Sequence, residues 1–321
     1  MESFFEYEES QHSVQEVWDD PETIFVVDTN IFLNIYVFHQ ETRQAIYDAL
    51  DKIKERLWSP HQVMLEFHRA RERHIDKNKR YFQSDFIDVF LKQFTDPYKK
   101  LQDLKNQYGK SYYDLAEVID SFIKNAEKEF SENFTELHGA LKEKLIPIEH
   151  KLAELQSQLI TSKDQDSLYQ KLCELYSNDK IGKPFTRSEL DELYKEGELR
   201  FRHGVPPGYK DKKKDEIYHH RGIIYHSKFG DLILYKQILE YCKAHHIKNV
   251  ILVSEDNKED WVDKETNALR KEIRGEAFEV AGIQDFIIMN KDSLLEYSGI
   301  EKSLQVKEDF ERADNIYIVN R

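Results

Sequence analysis

The sequence is short of the residues that build several common kinds of functional site. Among its 321 residues, Cys173 and Cys242 are the only cysteines. Two thiols cannot assemble a cysteine-based zinc site, and so low a count suits a reducing compartment. No stretch approaches the run of about 18 apolar residues that a membrane helix needs. The start, Met1-Glu2-Ser3-Phe4-Phe5-Glu6, is acidic and lacks a signal-peptide pattern. The expectation is a soluble, cytoplasmic protein with no membrane partner. There is no P-loop and no glycine-rich dinucleotide loop, and no internal repeat or low-complexity linker. An excess of positive charge is missing too. The net charge is −14, so any nucleic-acid contact must rest on local basic patches. What is abundant is apolar residues, at 40%, enough for a sizeable core, and charged residues, at 34%, which favour long solvated helices.

Two apolar stretches end on acids. Ile24-Phe25-Val26-Val27 reads as a short buried strand that stops at Asp28. Asn249-Val250-Ile251-Leu252-Val253-Ser254 reads as another, running into Glu255-Asp256. In open α/β sheets, ligands bind outside the carboxyl ends of the strands. Two further acids stand near helix starts. Leu57-Trp58 is extended, Ser59 and Pro60 cap and open a helix, and Glu66 follows beside the apolar stripe of Val63, Met64 and Phe67. Gly230-Asp231 opens an amphipathic helix that ends near His245-His246. Alone, Glu66 is a solvated helix residue, and Asp231, in the first turn of its helix or at its N-cap, a plain cap.

Elsewhere the pattern predicts a helix from Ile31 to about Arg56, another over roughly 259–273, a strand at Phe286–Met289 with a helix around 292–297, and an edge strand or docking segment at Asn315–Val319. Residues 81–199 are almost free of glycine. Phe82, Phe86 and Phe90 recur every four residues. Leu141, Leu145, Ile148, Leu152, Leu155 and Leu159 alternate four and three, a coiled-coil-like seam with a break at Pro147. The expected organisation is a discontinuous α/β domain, 1–80 and 200–321, interrupted by an α-helical insertion, 81–199. The insertion is the natural surface for a protein partner or a second copy. Trp58 and Trp261 read as core residues.

Basic residues cluster in two places. Arg69 and Arg73 follow Glu66 directly. Arg202, Lys210, Lys212, Lys213, Lys214 and Arg221 flank the Pro206-Pro207-Gly208 turn. Solvated charge is the commonest reading of such runs. Their position beside the acids makes phosphate contact the stronger one for the second run.

Strand ends and helix starts meet at one edge of an α/β sheet, which would gather Asp28, Glu66, Asp231 and Asp256. Four carboxylates together repel one another and call for a cation; all-oxygen ligation suits Mg²⁺ or Mn²⁺. Such an ion supports phosphodiester hydrolysis.

The motifs Val27-Asp28-Thr29-Asn30, Met64-Leu65-Glu66-Phe67, Gly230-Asp231 and Val253-Ser254-Glu255-Asp256 resemble, in order, the four acidic motifs of the PIN domain nucleases. Pro206-Pro207-Gly208-Tyr209-Lys210-Asp211, Gly230–Gln237 and Lys258-Glu259-Asp260-Trp261 resemble a bacterial PIN-like subfamily with a long helical insertion. The resemblance implies a three-layer α/β/α fold around a mostly parallel sheet, and a metal-dependent endoribonuclease, with a toxin or an antiphage defence effector among the roles it opens. It implies Asp28, Glu66, Asp231 and Asp256 as metal ligands, with Asp260 as a further one. Asn30 and Ser254 orient the site, and Asp211 is either a ligand or a group behind the ligands. The substrate is nucleic acid, RNA before DNA. A catalytically weak RNA-binding scaffold and a structure-specific DNA nuclease are the competing readings. A haloacid-dehalogenase-type phosphatase is set aside because its second Asp would fall at Asn30.

Overall fold

The computed structural model describes residues 5, 7, 12–81, 157–255, 258–266 and 268–319, with scattered positions between 117 and 154. Contacts divide the chain into two compact units. One is Met1–Ile75 with Lys163–Arg321, and the other is Asp76–Ser162.

The first unit is built on a parallel three-stranded sheet. Strand β1 (Ile24–Val27) pairs with β4 (Asn249–Val253), which pairs in turn with β5 (Asp285–Met289). The register sets Val27 beside Val253, and Val253 beside Met289. The three carboxyl ends are therefore level. All of β1 is buried, and so is β4 after Asn249. Continuous burial of apolar strands means that helices cover both faces, as expected of a parallel sheet. The class is α/β, as the strand and helix patterns predict.

The helices are α1 (Val14–Asp19), α2 (Thr29–Ile35), α3 (Gln40–Lys52), α4 (His61–Tyr81), α5 (Ser167–Leu175), α6 (Arg187–His203), α7 (Gly230–His245), α8 (Lys271–Ala281), α9 (Lys291–Tyr297) and α10 (Leu304–Val319). A hairpin of β2 (Ile217–His220) and β3 (Ile223–His226) completes the described elements. Its two-residue turn, Arg221-Gly222, has positive φ at both positions, 49° and 76°, the twist that suits a tight hairpin.

Several elements differ from the sequence pattern for identifiable reasons. The helix expected from Ile31 to Arg56 is two helices, because His39 caps α3 and its backbone N–H donates to the buried Asp309 carboxylate at 2.8 Å. The stretch 259–270 is a turn: the Asp263 carboxylate accepts from the N–H groups of Glu265 and Thr266, and Val262 bridges to Leu269. The segment Asn315–Val319 ends helix α10, which buries Val306, Phe310 and Ala313 at helical spacing.

Residues from Lys163 to 199, expected in the insertion, belong to the first unit. Leu190, Leu193 and Phe201 of α6 form one apolar cluster with Leu65, Tyr218, Tyr225, Phe229 and Leu232, and burial of that stripe holds α6 against the hairpin and α7. In the second unit, Asn78 donates through Nδ2 to the Ile160 carbonyl at 3.1 Å. Ile146, Pro147 and Ile148 are helical and exposed. Phe82, Phe86, Phe90, Leu141, Leu145, Leu152 and Leu155 lie outside the described residues.

Gly197 lies mid-helix in α6, where Ala ordinarily stabilises by about 1 kcal/mol. Here a Cβ would lie 2.5 Å from Cε1 of the buried Phe229 ring. Gly197→Ala is therefore expected to destabilise the protein by about 1–3 kcal/mol, read from the midpoint of urea unfolding.

Candidate functional site

The carboxyl ends of β1 and β4 place Asp28 and Ser254 side by side. The Asp28 N–H donates to the Val253 carbonyl at 2.9 Å, carrying the ladder one residue past the strand. Asp28 is the N-cap of α2, and its Oδ1 accepts from the Thr29 N–H at 2.6 Å. Its Oδ2 accepts from Asn30 Nδ2 at 2.6 Å and from the Ser254 hydroxyl at 2.7 Å. Asn30 also donates to Ser254 Oγ at 2.9 Å, while Asn30 Oδ1 accepts from the Glu255 N–H at 3.1 Å. Both Asp28 oxygens are thus held by groups from two strand ends.

Glu255 has a different job from Asp28. Its carboxylate accepts from the Lys291 N–H at 2.9 Å and pairs with Lys291 Nζ at 3.2 Å. Lys291 is only 2% exposed. This buried pair ties the end of β4 to the start of α9. Asp256, the acid expected at this strand end, lies outside the described residues.

Helix α4 is pinned beside α2 by the Thr29 hydroxyl, which donates to the Val63 carbonyl at 3.1 Å. One turn before Glu66, Gln62 donates through Nε2 to Glu66 Oε1 at 2.6 Å and to the Tyr218 hydroxyl at 3.0 Å. The Gln62 backbone N–H donates to Gln237 Oε1 at 3.0 Å. Glu66 is thereby fixed to both the hairpin and α7. A Cβ on Gly230 would lie 2.7 Å from Glu66 Oε1, so any larger residue there would push the Glu66 carboxylate from its present position.

Of the two positions its sequence allows, first turn or N-cap, Asp231 takes the first turn. Phe229 is the N-cap of α7, without a side-chain hydrogen bond, and Asp231 lies in the first turn. Asp231 Oδ2 accepts from the Trp261 indole N–H at 3.3 Å and lies 3.5 Å from Lys258 Nζ. The same ammonium is 3.2 Å from Asp211 Oδ2, which Lys214 Nζ also meets at 2.6 Å. The turn before Asp211 passes close to α7: Gly208 has φ 92°, and a Cβ there would sit 3.2 Å from the Asp231 Cβ. Beyond it, the Lys210 N–H donates to Asp260 Oδ2 at 2.8 Å. Asp260 is wholly buried, and its Oδ1 has no hydrogen-bond partner.

Two of these acids are pushed toward their protonated forms. The Glu66 carboxyl is raised, chiefly by burial; the Gln62 hydrogen bond opposes this, the Asp231 charge adds to it, and Lys214 and Arg69 oppose it. The Asp260 carboxyl is raised by burial, with the Lys210 N–H opposing and the Asp231 charge adding. Asp231 therefore acts on acids from α4 on one side and from the 258–262 turn on the other. All donors are oxygens, the type that suits Mg²⁺ or Mn²⁺, and a cation would relieve both effects. Among the described residues no three acids, histidines or cysteines stand close enough together to hold an ion.

The expected phosphate contacts divide into two groups. Arg69 stacks 3.4 Å over the Tyr218 ring and pairs with Glu216 at 2.7 Å. Lys210 pairs with Glu259, and Lys214 with Asp211. Arg73, Arg202, Lys212, Lys213 and Arg221 are exposed. Beside Arg221, the His61 imidazole is pushed down to about 4 by burial, with the charges of His220 and Arg221 adding. His219 and His220 alternate along β2. Trp58 and Trp261 are buried core residues, at 3% and 2% exposure.

Sequence reasoning missed Gln62, Tyr218 and Lys258. Gln62 carried a signal, standing four residues before Glu66 on one helix face. Lys258 and Tyr218 reach the acids only through tertiary contacts.

A carboxyl whose folded pKa is raised binds its proton more tightly in the folded state. Its effect on stability turns unfavourable as pH rises from the unfolded pKa through the folded one. Glu66→Gln removes that penalty. The metal-free variant is expected to melt higher than wild type at neutral pH, with the difference vanishing in acid below the unfolded glutamate range. Melting curves across pH in EDTA test this.

Neither the curated proteins nor the solved structures hold a significant match to this chain. The family described as PIN like domain matches residues 24–276, from β1 through Asp28, Glu66, Asp231 and Asp260 into α8. With most of its length covered, and with acids at the strand ends and helix starts of a parallel sheet, the chain belongs to the PIN-like domain family, whose fold is of the nuclease type.

Proposed function

We propose that this chain is a divalent-metal-dependent nuclease that hydrolyses phosphodiester bonds, with single-stranded RNA as its substrate class. The observation that carries this reading is the family match over residues 24–276, within which Asp211 and Asp231 meet at Lys258 Nζ and the buried Asp260 accepts from the Lys210 N–H. The carboxyls of Glu66 and Asp260 are both raised, chiefly by burial with the Asp231 charge adding, which accords with acids that a cation would neutralise. Asp28, Glu66, Asp231 and Asp256 would hold the ion, with Asp260 as a further ligand. Bound Mg²⁺ or Mn²⁺ supplies an activated water and stabilises charge on the leaving oxygen.

The chain's own groups do the rest. Asn30 and Ser254 fix the Asp28 oxygens, and Gln62 fixes Glu66. Asp211, between Lys214 and Lys258, acts behind the ligands. Arg73, Arg202, Lys212, Lys213 and Arg221 offer exposed charge to a phosphate backbone, so binding should weaken steeply with salt.

The test is cleavage of labelled single-stranded RNA and matched DNA, in Mg²⁺ or Mn²⁺ against EDTA. Asp28→Asn and Asp231→Asn are each expected to slow metal-dependent RNA cleavage by about 100-fold or more, since each removes several kcal/mol of charge stabilisation. Metal-independent cutting, or equal rates in wild type and both variants, would sink the proposal. RNA binding retained by all three proteins without cutting would favour the scaffold reading.

A further inference from the structure

Lys258 stands out among the basic residues because its ammonium lies inside the acid group. Its Nζ is 3.2 Å from Asp211 Oδ2 and 3.5 Å from Asp231 Oδ2. The side chain is 19% exposed, against 12% for Asp211 and 24% for Asp231. This is no solvated surface charge. Two carboxylates from separate elements, the 209–211 turn and the first turn of α7, meet one ammonium from a third, the loop after β4.

Neither Asp211 nor the turn at Lys258 depends on this ammonium alone. Lys214 already pairs with Asp211 at 2.6 Å. The turn after Lys258 is closed by backbone bonds, with the N–H groups of Trp261 and Val262 both donating to the Lys258 carbonyl, at 2.9 and 3.0 Å. The Lys258 ammonium adds a positive charge where the oxygens of Asp211 and Asp231 converge. In the same turn, wholly buried Asp260 keeps an oxygen without a hydrogen-bond partner.

We propose that Lys258 is an internal counter-cation of the carboxylate site, which a divalent metal must displace from Asp231 in order to bind. The inference rests on the metal-dependent reading above and adds its regulation. Lys258 holds the acids together without metal and lowers the site's metal affinity, so that occupancy tracks metal concentration. A monovalent ammonium and a hard divalent cation compete for the same oxygen, and the divalent ion prevails only once its concentration offsets the lost ion pair.

The test is the affinity of the full-length protein for Mn²⁺, measured by calorimetry at fixed pH and salt without substrate. Lys258→Met removes the ammonium and keeps the side-chain length. It is expected to bind Mn²⁺ about tenfold more tightly than wild type, as removal of a close counter-charge should allow. In EDTA it should melt lower than wild type, and saturating Mn²⁺ should close the gap. Lys264→Met is the control for general charge, since Lys264 pairs with Glu259 at 3.0 Å and is 70% exposed; it should change the affinity less than twofold. Lys258→Gln replaces Lys258→Met if the latter fails to fold. Equal Mn²⁺ affinity in wild type and the Lys258 variant, or an equal gain in the Lys264 variant, overturns the role of Lys258 and leaves the metal-dependent reading standing. Absence of Mn²⁺ binding in every protein overturns both. Weaker binding in the Lys258 variant also overturns the inference, because Lys258 would then support the metal rather than compete with it.

Discussion

Burial of acids near the carboxyl ends of a parallel sheet is the constraint on which the surrounding contacts depend. The level register of β1, β4 and β5 brings strand ends together. The helix starts beside them carry further acids. Burial raises the cost of each negative charge, and every neighbouring charge of the same sign raises it again. Glu66 and Asp260 show both effects, with Asp231 as their common neighbour. The apolar core must offset this local cost, and it is large enough to do so: Phe25, Val26, Val27, Phe32 and Ile35 are fully buried around β1 alone.

The surrounding contacts manage the charge in three ways. Neutral donors hold individual oxygens, as Asn30, Ser254 and Thr29 do for Asp28 and Gln62 does for Glu66. Glycine at 208 and 230 removes side-chain bulk where two backbones approach the acids. Lysines supply the opposite charge. Lys291 with Glu255 and Lys258 with Asp211 and Asp231 look alike as ion pairs, yet their settings differ. Lys291 is sealed at the start of α9 and locks the turn. Lys258 sits in a partly exposed cluster, between carboxylates of two other elements. Donors that hold oxygens in one orientation, together with a partly exposed counter-charge, are the features on which the proposed ion site rests.

The PIN-like domain family match runs from β1 into α8 and spans the segments that carry these acids. Within the matched range two elements tie the acids together. The hairpin is one: Tyr218 shares the Gln62 amide with Glu66 and carries Arg69 on its ring face. Helix α6 is another, packing under the hairpin and ending just before the turn that touches Asp231. The segment after Lys163 is therefore part of what positions the acids.

Much of this was legible in the sequence, because it depends on local pattern. The β-branched runs at 24–27 and 249–253, the acids that end them and the Gly230-Asp231 helix are all written in neighbouring residues. The helix expected to open at Pro60 with Ser59 as its cap begins one residue later, at His61, and the Ser59 hydroxyl donates to the Pro60 carbonyl instead. The turn at Pro206-Pro207-Gly208 was legible too. The break between α2 and α3 was not, since it depends on Asp309 reaching His39 from the far end of the chain. The fate of Asn315–Val319 was settled by burial of one face of α10, which outweighs the β-propensity of Ile316 and Val319. The contacts of Glu66 with Gly230, and of Lys258 with Asp211 and Asp231, join residues that are distant in sequence or lie on separate turns. By itself the sequence determined which residue types end each element, because helix, strand and turn preferences act over a few residues. Only the tertiary structure decided which acids share a field and which cation stands among them, because electrostatic coupling depends on distance through space and on exclusion of water.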